Sequence, residues 1–204
     1  MAVRERIMET ALRMFRTYGV KGVTMFDIAR DCGISKKTVY EHFSDKQTLI
    51  DEGMQILLNS HIAYFQELHN TAENAIEELV GNMKYITSMA RTLNPVMLFE
   101  IQKYHPDTWR SIESFKASCI LFGIKENLKR GMAEGLYRQN LDINTIARMR
   151  QLQLEAAFDP AQYPAADFQM PEVMEQVTAH FILGIATIKG HKLANQYLQI
   201  KEEE

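Results

Sequence analysis

Ala29, Gly33 and Val39 stand four and six residues apart, and that spacing narrows the choice of folds more than any other feature of this 204-residue chain. A small residue late in one helix, a glycine free to turn, and an apolar anchor under the next helix let two short helices meet at a sharp angle. Gly33 followed by Ser35 reads as the turn and its cap, because a serine oxygen accepts a free amide hydrogen of the first helical turn. The helix after it is expected to begin at Lys36 and to end near Phe43. By themselves the three residues suit a solvated amphipathic helix in a bundle equally well, so the rest of the second helix has to decide.

With Val39 at the origin of a helical wheel, Phe43 lies about 40° away, and Lys37 and Glu41 lie about 160° and 200° away. Thr38 and Tyr40 flank the anchor at about 100° on either side. Val39 and Phe43 therefore face inward. Lys37 and Glu41 face outward, and Lys36 reaches out from the exposed first turn. This is the surface of a recognition helix: outer residues reach base edges in a major groove, while hydroxyls, an imidazole and a lysine hold phosphates. Lys36 or Lys37 can donate to guanine O6 and N7. Glu41 can accept from a cytosine amine, or it can pair with Lys37 one turn back and touch no base.

Helical signals continue along the whole chain. Ile7, Ala11, Leu12 and Phe15 share one face, and the run stops at Tyr18 and Gly19, which predicts a first helix over 3–18. Thr24 followed by Asp27 has the form of a capping box opening a second helix over 24–31, and Ser44 with Gln47 has the same form before a long fourth helix reaching His69. Asn94 and Pro95 read as a cap and a first-turn proline. His105, Pro106 and Asp107 break the chain before a further long helix that ends between Gly131 and Gly135. Pro160, Pro164 and Pro171 bracket a loop, and a last helix is expected over 172–199. Ten glycines and five prolines in 204 residues, without regular alternation of β-branched residues, make the fold class all-α.

Residues 7–54, with Thr24, Asp27, Ile28, Ala29, Gly33, Ile34, Ser35, Thr38, Val39, Tyr40, His42, Phe43 and Lys46, resemble the DNA-binding domain of the tetracycline-repressor (TetR) family of bacterial transcription regulators. The resemblance implies a three-helix helix-turn-helix head over 1–46 and a helical body over 47–204 that binds an effector and dimerises. It implies that Thr24, Thr38, Tyr40, His42 and Lys46 lie at the DNA backbone, with Lys36 and Lys37 near bases; the cap Ser35 and the outward Glu41 complete the expected DNA-facing set. Lys37 stands where the family more often has a small residue or proline, and Glu41 where an aromatic or basic residue is usual. The function implied is a transcriptional repressor released from a palindromic double-stranded operator by a small hydrophobic effector. The alternative is an effector-independent architectural or division-linked DNA-binding protein of the same fold. Charge agrees: residues 1–50 carry +3 and the remainder −6, so the basic end suits a polyanionic partner.

In the body, the stretch from Ala179 to Ile188 is apolar nearly all round its helix, with small residues that permit close approach. Together with the helix near 142–157 it is expected to form a homodimer through Ile146, Met149, Val177, Phe181, Gly184, Ile185 and Ile188, or else to be a central helix buried in a monomer. Two heads also suit half-sites separated by a helical turn of DNA. Tyr85, Met89, Phe99, Trp109, Phe115, Phe122 and Tyr137 are the candidates for an adaptable apolar effector pocket, although the same residue types build any helical core. An effector would act by preferring a body conformation that spaces the heads wrongly, with the fourth helix as connecting rod. No cofactor, metal or enzymatic activity is expected: His61 and His69 are eight apart and His180 and His191 eleven apart, neither at the spacing of a helical metal site. Cys32 and Cys119 are too few for a disulfide framework. The N-terminus lacks the apolar run of a signal peptide, and the stretch from Phe181 to Ile188 is too short to cross a bilayer, so a cytoplasmic protein is expected.

Overall fold

The computed structural model describes residues 2–91, 94–159 and 161–200. Helices run in the order α1 (Val3–Tyr18), α2 (Met25–Asp31), α3 (Lys36–His42), α4 (Lys46–Thr71), α5 (Ala75–Ala90), α6 (Pro95–Tyr104), α7 (Pro106–Phe115), a π-helical turn (Lys116–Ile120), α8 (Leu121–Ala133), α9 (Ile143–Ala157), α10 (Met170–Ile185) and α11 (Ile188–Leu198). Pro160 and the acidic residues 202–204 lie outside the described residues. The expectation of an all-α chain holds.

The chain divides into two compact units, Met1–His61 with Thr92–Phe115, and Ile62–Arg91 with Lys116–Glu204. In the first, Ile7, Ala11, Phe15, Ile28, Val39, Phe43 and Leu49 are buried in one core that also takes Met97, Ile101 and Ile112. Local hydrogen bonds explain where its helices begin. Thr24 Oγ1 accepts from the Asp27 amide at 3.2 Å while the Asp27 carboxylate accepts from the Thr24 amide at 3.0 Å, so the predicted capping box is formed. Asn94 Oδ1 accepts from the Val96 amide at 2.9 Å and opens α6, and the Asn94 amide reaches back to the Arg16 carbonyl at 2.9 Å. The fourth helix starts one residue later than its sequence signature: Asp45, not Ser44, caps it by accepting from the Thr48 amide at 2.7 Å. A carboxylate there also complements the positive end of the helix dipole.

In the second unit α5 packs on α10, α8 on α9, and α9 on α10. Two departures from the expected helices occur. The helix after Pro106 is interrupted by the π-helical turn at Lys116–Ile120. The last helix is broken in two at Ala186 and Thr187, because the segment after α8 pairs with it: the Arg138 amide donates to the Ile185 carbonyl at 3.0 Å and the Thr187 amide to the Leu136 carbonyl at 2.9 Å. The Thr187 hydroxyl then caps α11 by accepting from the Gly190 amide at 3.2 Å.

Candidate nucleic-acid interface

Gly33 has φ +65°, a conformation that costs an L side chain about 1 kcal/mol or more, and the chain reverses there between α2 and α3. The Gly33 amide donates to Arg30 O at 3.1 Å and the Ile34 amide to Ala29 O at 3.0 Å, which closes α2 against the turn. Ser35 Oγ then accepts from the Thr38 amide at 3.0 Å and opens α3. Val39 and Phe43, at 0% and 1% exposure, are sunk in the core beneath it. The wheel's prediction for these two side chains is met, and their burial fixes which face of α3 looks outward.

On that outward side Ser35, Lys36, Lys37, Tyr40, Glu41 and His42 are exposed, and Thr38 is half-buried. An open depression of about 290 Å³ is lined by Val23, Thr24, Met25, Phe26, Lys36, Tyr40 and Lys46. The structure thus brings four of the expected residues, Thr24, Lys36, Tyr40 and Lys46, around one cavity. Lys37, Glu41 and His42 lie on α3 outside its lining. No ion pair forms between Lys37 and Glu41 among the described residues, so the pairing alternative for Glu41 is not realised.

Electrostatics at the cavity come from its rim. The Lys36 ammonium lies 5.5 Å from the Tyr40 ring centre, within cation–π range. Lys46 is half-buried, and that burial pulls its pKa below the usual lysine value, opposed by the Glu100 and Asp27 carboxylates. Hydrogen bonds from the Thr24 side chain and amide hold the Asp27 carboxyl below its ordinary range. The rim therefore presents two ammonium groups and the Tyr40 hydroxyl, a donor set that suits a phosphate oxygen, while the Thr24 hydroxyl donates to the Asp27 carboxylate at 2.6 Å.

Phe26 is a member of this surface that the sequence reading missed. Its ring is 57% exposed, with the Arg30 guanidinium 5.8 Å from its centre. The signal was available: Phe26 lies about 100° and 160° round α2 from the buried Met25 and Ile28, on the flank of the helix that leaves the core. Glu100, which accepts from the Lys21 amide at 2.8 Å, was also missed, and no local pattern could have found a contact 79 residues away in sequence.

The effector candidates are divided between the units. Phe99, Trp109 and Phe115 belong to the first, where Trp109 and Phe115 pack on its core and Phe99 is 55% exposed. Tyr85, Met89, Phe122 and Tyr137 belong to the second. There Tyr85 stacks on Tyr64 at 3.7 Å, Met89 is half-buried and Phe122 is exposed. Tyr137 is a core residue at 0% exposure whose hydroxyl donates to Ala75 O at 3.1 Å. Of the dimer candidates, Met149, Gly184 and Ile188 are exposed, Ile146 and Val177 half-buried, while Phe181 and Ile185 point into the core of their own unit. Leu152, one turn from Met149 and 49% exposed, extends the exposed apolar set on α9.

Comparison with known proteins gives this arrangement a context. Residues 7–52 match the family described as bacterial regulatory proteins, tetR family. Over 201 residues, 94% of each chain, the protein is 23% identical to the transcriptional repressor KstR2 of Mycolicibacterium smegmatis. A transcriptional regulator from Cytophaga hutchinsonii superposes with a TM-score of 0.72 at 22% identity, covering 90% of this chain and 98% of that one. The ketosteroid transcriptional regulator KstR2 of Mycobacterium tuberculosis superposes with a TM-score of 0.61 at 20% identity, covering 91% and 96%. An all-helical chain whose N-terminal helix-turn-helix exposes lysines and hydroxyls over a buried anchor defines a DNA-binding regulator. The helix-turn-helix over residues 7–52 is of the tetR-family type, and over nearly its whole length the chain is similar to transcriptional regulators of that fold. That family and these relatives are regulators, not enzymes. No described helix is long and apolar enough to cross a membrane.

Proposed function

We propose that the protein is a cytoplasmic repressor that binds a palindromic DNA operator as a homodimer and leaves it when a small-molecule effector binds. The observation that carries the DNA half of this reading is the convergence of Thr24, Lys36, Tyr40 and Lys46 on one open depression beside α3. In this reading the head over 1–46 reads DNA and 47–204 carries effector and dimer functions. Thr24, Thr38, Tyr40, His42 and Lys46 hold phosphates, Ser35 braces α3, and Lys36, Lys37 and Glu41 meet base edges. The exposure of all three on α3 supports this assignment. Tyr40→Phe removes one hydroxyl donor and is expected to weaken binding about fivefold for every sequence alike. Lys46→Ala is expected to lower the slope of log affinity against log salt by about 0.9, as loss of one phosphate contact does. Electrophoretic mobility or fluorescence anisotropy across a salt series reads both. A loss confined to one base position refutes the phosphate roles.

The exposed apolar side chains of Met149, Leu152 and Ile188 support a dimer face on α9, α10 and the start of α11. Phe181 and Ile185 then support that face from beneath. Sedimentation is expected to give a dimer at micromolar concentration, and Met149→Asp combined with Ile188→Asp a monomer with unchanged helicity. A wild-type monomer defeats this part of the proposal. The effector half rests on Tyr85, Met89 and Phe122 in the second unit, whose core holds Tyr137; the candidates Phe99, Trp109 and Phe115 belong to the first unit. Selecting operator fragments from a genomic pool and then screening metabolites for release tests repression and effector together.

A further inference from the structure

Arg150 on α9 is buried, at 4% exposure, yet it makes no ion pair among the described residues. Its guanidinium donates to Thr178 Oγ1 at 2.7 Å and to the Val177 carbonyl at 3.4 Å, and lies 5.0 Å from the centre of the Phe181 ring. All three partners are neutral. Burial alone pulls its pKa down to about 10, with no carboxylate holding it up. A guanidinium has five N–H donors, and an interior cation without a counter-charge is a costly arrangement for a stable fold.

The surroundings explain what would balance it. In one apolar cluster Leu79, Val80 and Met83 of α5 and Ala147 of α9 meet Phe181, Ile182 and Ile185 of α10. In the next cluster Ile86 of α5 and Leu154 and Ala157 of α9 meet Val173, Met174 and Val177 of α10. Both α5 and α9 therefore run antiparallel to α10, and the seam between the clusters falls between Met83 and Ile86 on α5, at Arg150 on α9 and at Thr178 on α10, with Asn82 and Thr87 flanking it on α5. This seam is a polar layer between two greasy ones. Three buried oxygens on the same helices, Asn82 Oδ1, Thr87 Oγ1 and Gln153 Oε1, have no hydrogen-bond partner. Buried polar atoms are nearly always satisfied, so two orphans flanking the seam on α5 and one three residues from the unbalanced cation on α9 point to a missing occupant.

We propose that this polar layer is the binding site for a small organic acid, whose carboxylate is held by the Arg150 fork and whose apolar body lies against the flanking clusters. The proposal rests on the reading of the second unit as an effector-binding body and names the class of effector. The guanidinium matches a carboxylate in a bidentate, planar arrangement that a lysine cannot reproduce. The orphaned oxygens can accept from a hydroxyl or amide on the same ligand.

The test uses the full chain, thermal unfolding and calorimetry, and four probe pairs: hexanoate, octanoate, benzoate and phenylacetate, each against its primary amide, with inorganic phosphate as a control. At least one carboxylate is expected to raise the melting temperature and bind, while its amide and phosphate do not. Arg150→Met is expected to weaken that binding about 10- to 100-fold, the range for losing a charged hydrogen bond, and to melt without ligand at or above the wild-type temperature. Arg150→Lys keeps the charge without the fork and is expected to bind at least about tenfold more weakly than wild type; it decides the matter if the methionine variant fails to fold. The proposal is overturned if no carboxylate binds, if amides bind equally, if phosphate alone binds, or if neither variant weakens the carboxylate. Operator release is scored separately. A carboxylate that binds at Arg150 without releasing DNA removes the effector reading and leaves the site. Release by a neutral ligand, with the methionine variant responding normally, removes the site and leaves the effector reading.

Discussion

Arg130→Met is expected to destabilise the second unit by about 3 kcal/mol, near the lower end for breaking a buried ion pair because the arginine keeps some solvent contact. At this chain length that is a fall of about 6–12 °C in melting temperature. Arg130 ends α8, and its guanidinium serves four groups at once: Glu134 Oε1 at 2.7 Å, Glu78 Oε2 at 3.3 Å, and the carbonyls of His69 at 3.1 Å and Ala72 at 2.7 Å. The two carbonyls lie at the end of α4, where helical carbonyls have no partner of their own. Glu134 in turn accepts from the Ala75 amide at 2.8 Å, at the start of α5. One helix end thus closes the turn between two others. Glu78, with a side chain only 5% exposed, would keep His69 Nδ1 at 3.1 Å as its remaining partner. Adding Glu78→Gln should recover part of the loss, because it removes the stranded charge. Strictly additive effects in chemical denaturation would show that the two side chains do not act as a pair.

Gly190→Ala is expected to be as damaging, about 3 kcal/mol or more, for a steric reason. A Cβ at this position would stand 2.2 Å from the Leu136 carbonyl oxygen and 3.1 Å from the Ala186 Cβ. That carbonyl cannot retreat freely, since it accepts from the Thr187 amide at 2.9 Å and the Thr187 hydroxyl at 3.2 Å. α11 would have to move off the segment after α8 and give up the bridge between Tyr137 and Ala186. Gly123→Ala provides the control: it lies in α8, nothing stands within 4 Å of its added Cβ, and the change is expected to stabilise by up to about 1 kcal/mol. Equal melting temperatures for the two variants would mean that the approach of α11 to Leu136 is not a constraint on the fold.

Much of the interface was legible in the residues themselves. Thr24 with Asp27, Gly33 with Ser35, and the inward pair Val39 and Phe43 act within four residues of one another, so helix starts, the turn and the outward face of α3 followed from local rules. The choice of Ser44 over Asp45 as a cap failed narrowly, since both side chains can accept an amide hydrogen and only the chain's path decides which one does. Of the dimer residues, periodicity identified an apolar stretch but could not say that Phe181 and Ile185 turn inward while Ile188 stays out, because a helix apolar on all sides carries no direction. The effector residues were less legible still: aromatic and thioether side chains suit a core and a pocket equally, and Tyr137 proved to be core.

The sequence alone determined what is set by neighbours along the chain: an all-α fold, the positions of its N-terminal helices, and a basic, hydroxyl-bearing face on a recognition helix. Capping bonds and helical periodicity span three or four residues, so their energies do not depend on where the rest of the chain goes. Tertiary structure alone decided the break between α10 and α11, the seat of Glu100 at the Lys21 amide, the clamp of Arg130 on α4 and α5, and the burial of Arg150 without a counter-charge. Each of these depends on groups from separate elements meeting in three dimensions, and hydrogen bonding, steric exclusion and desolvation act only once they have met.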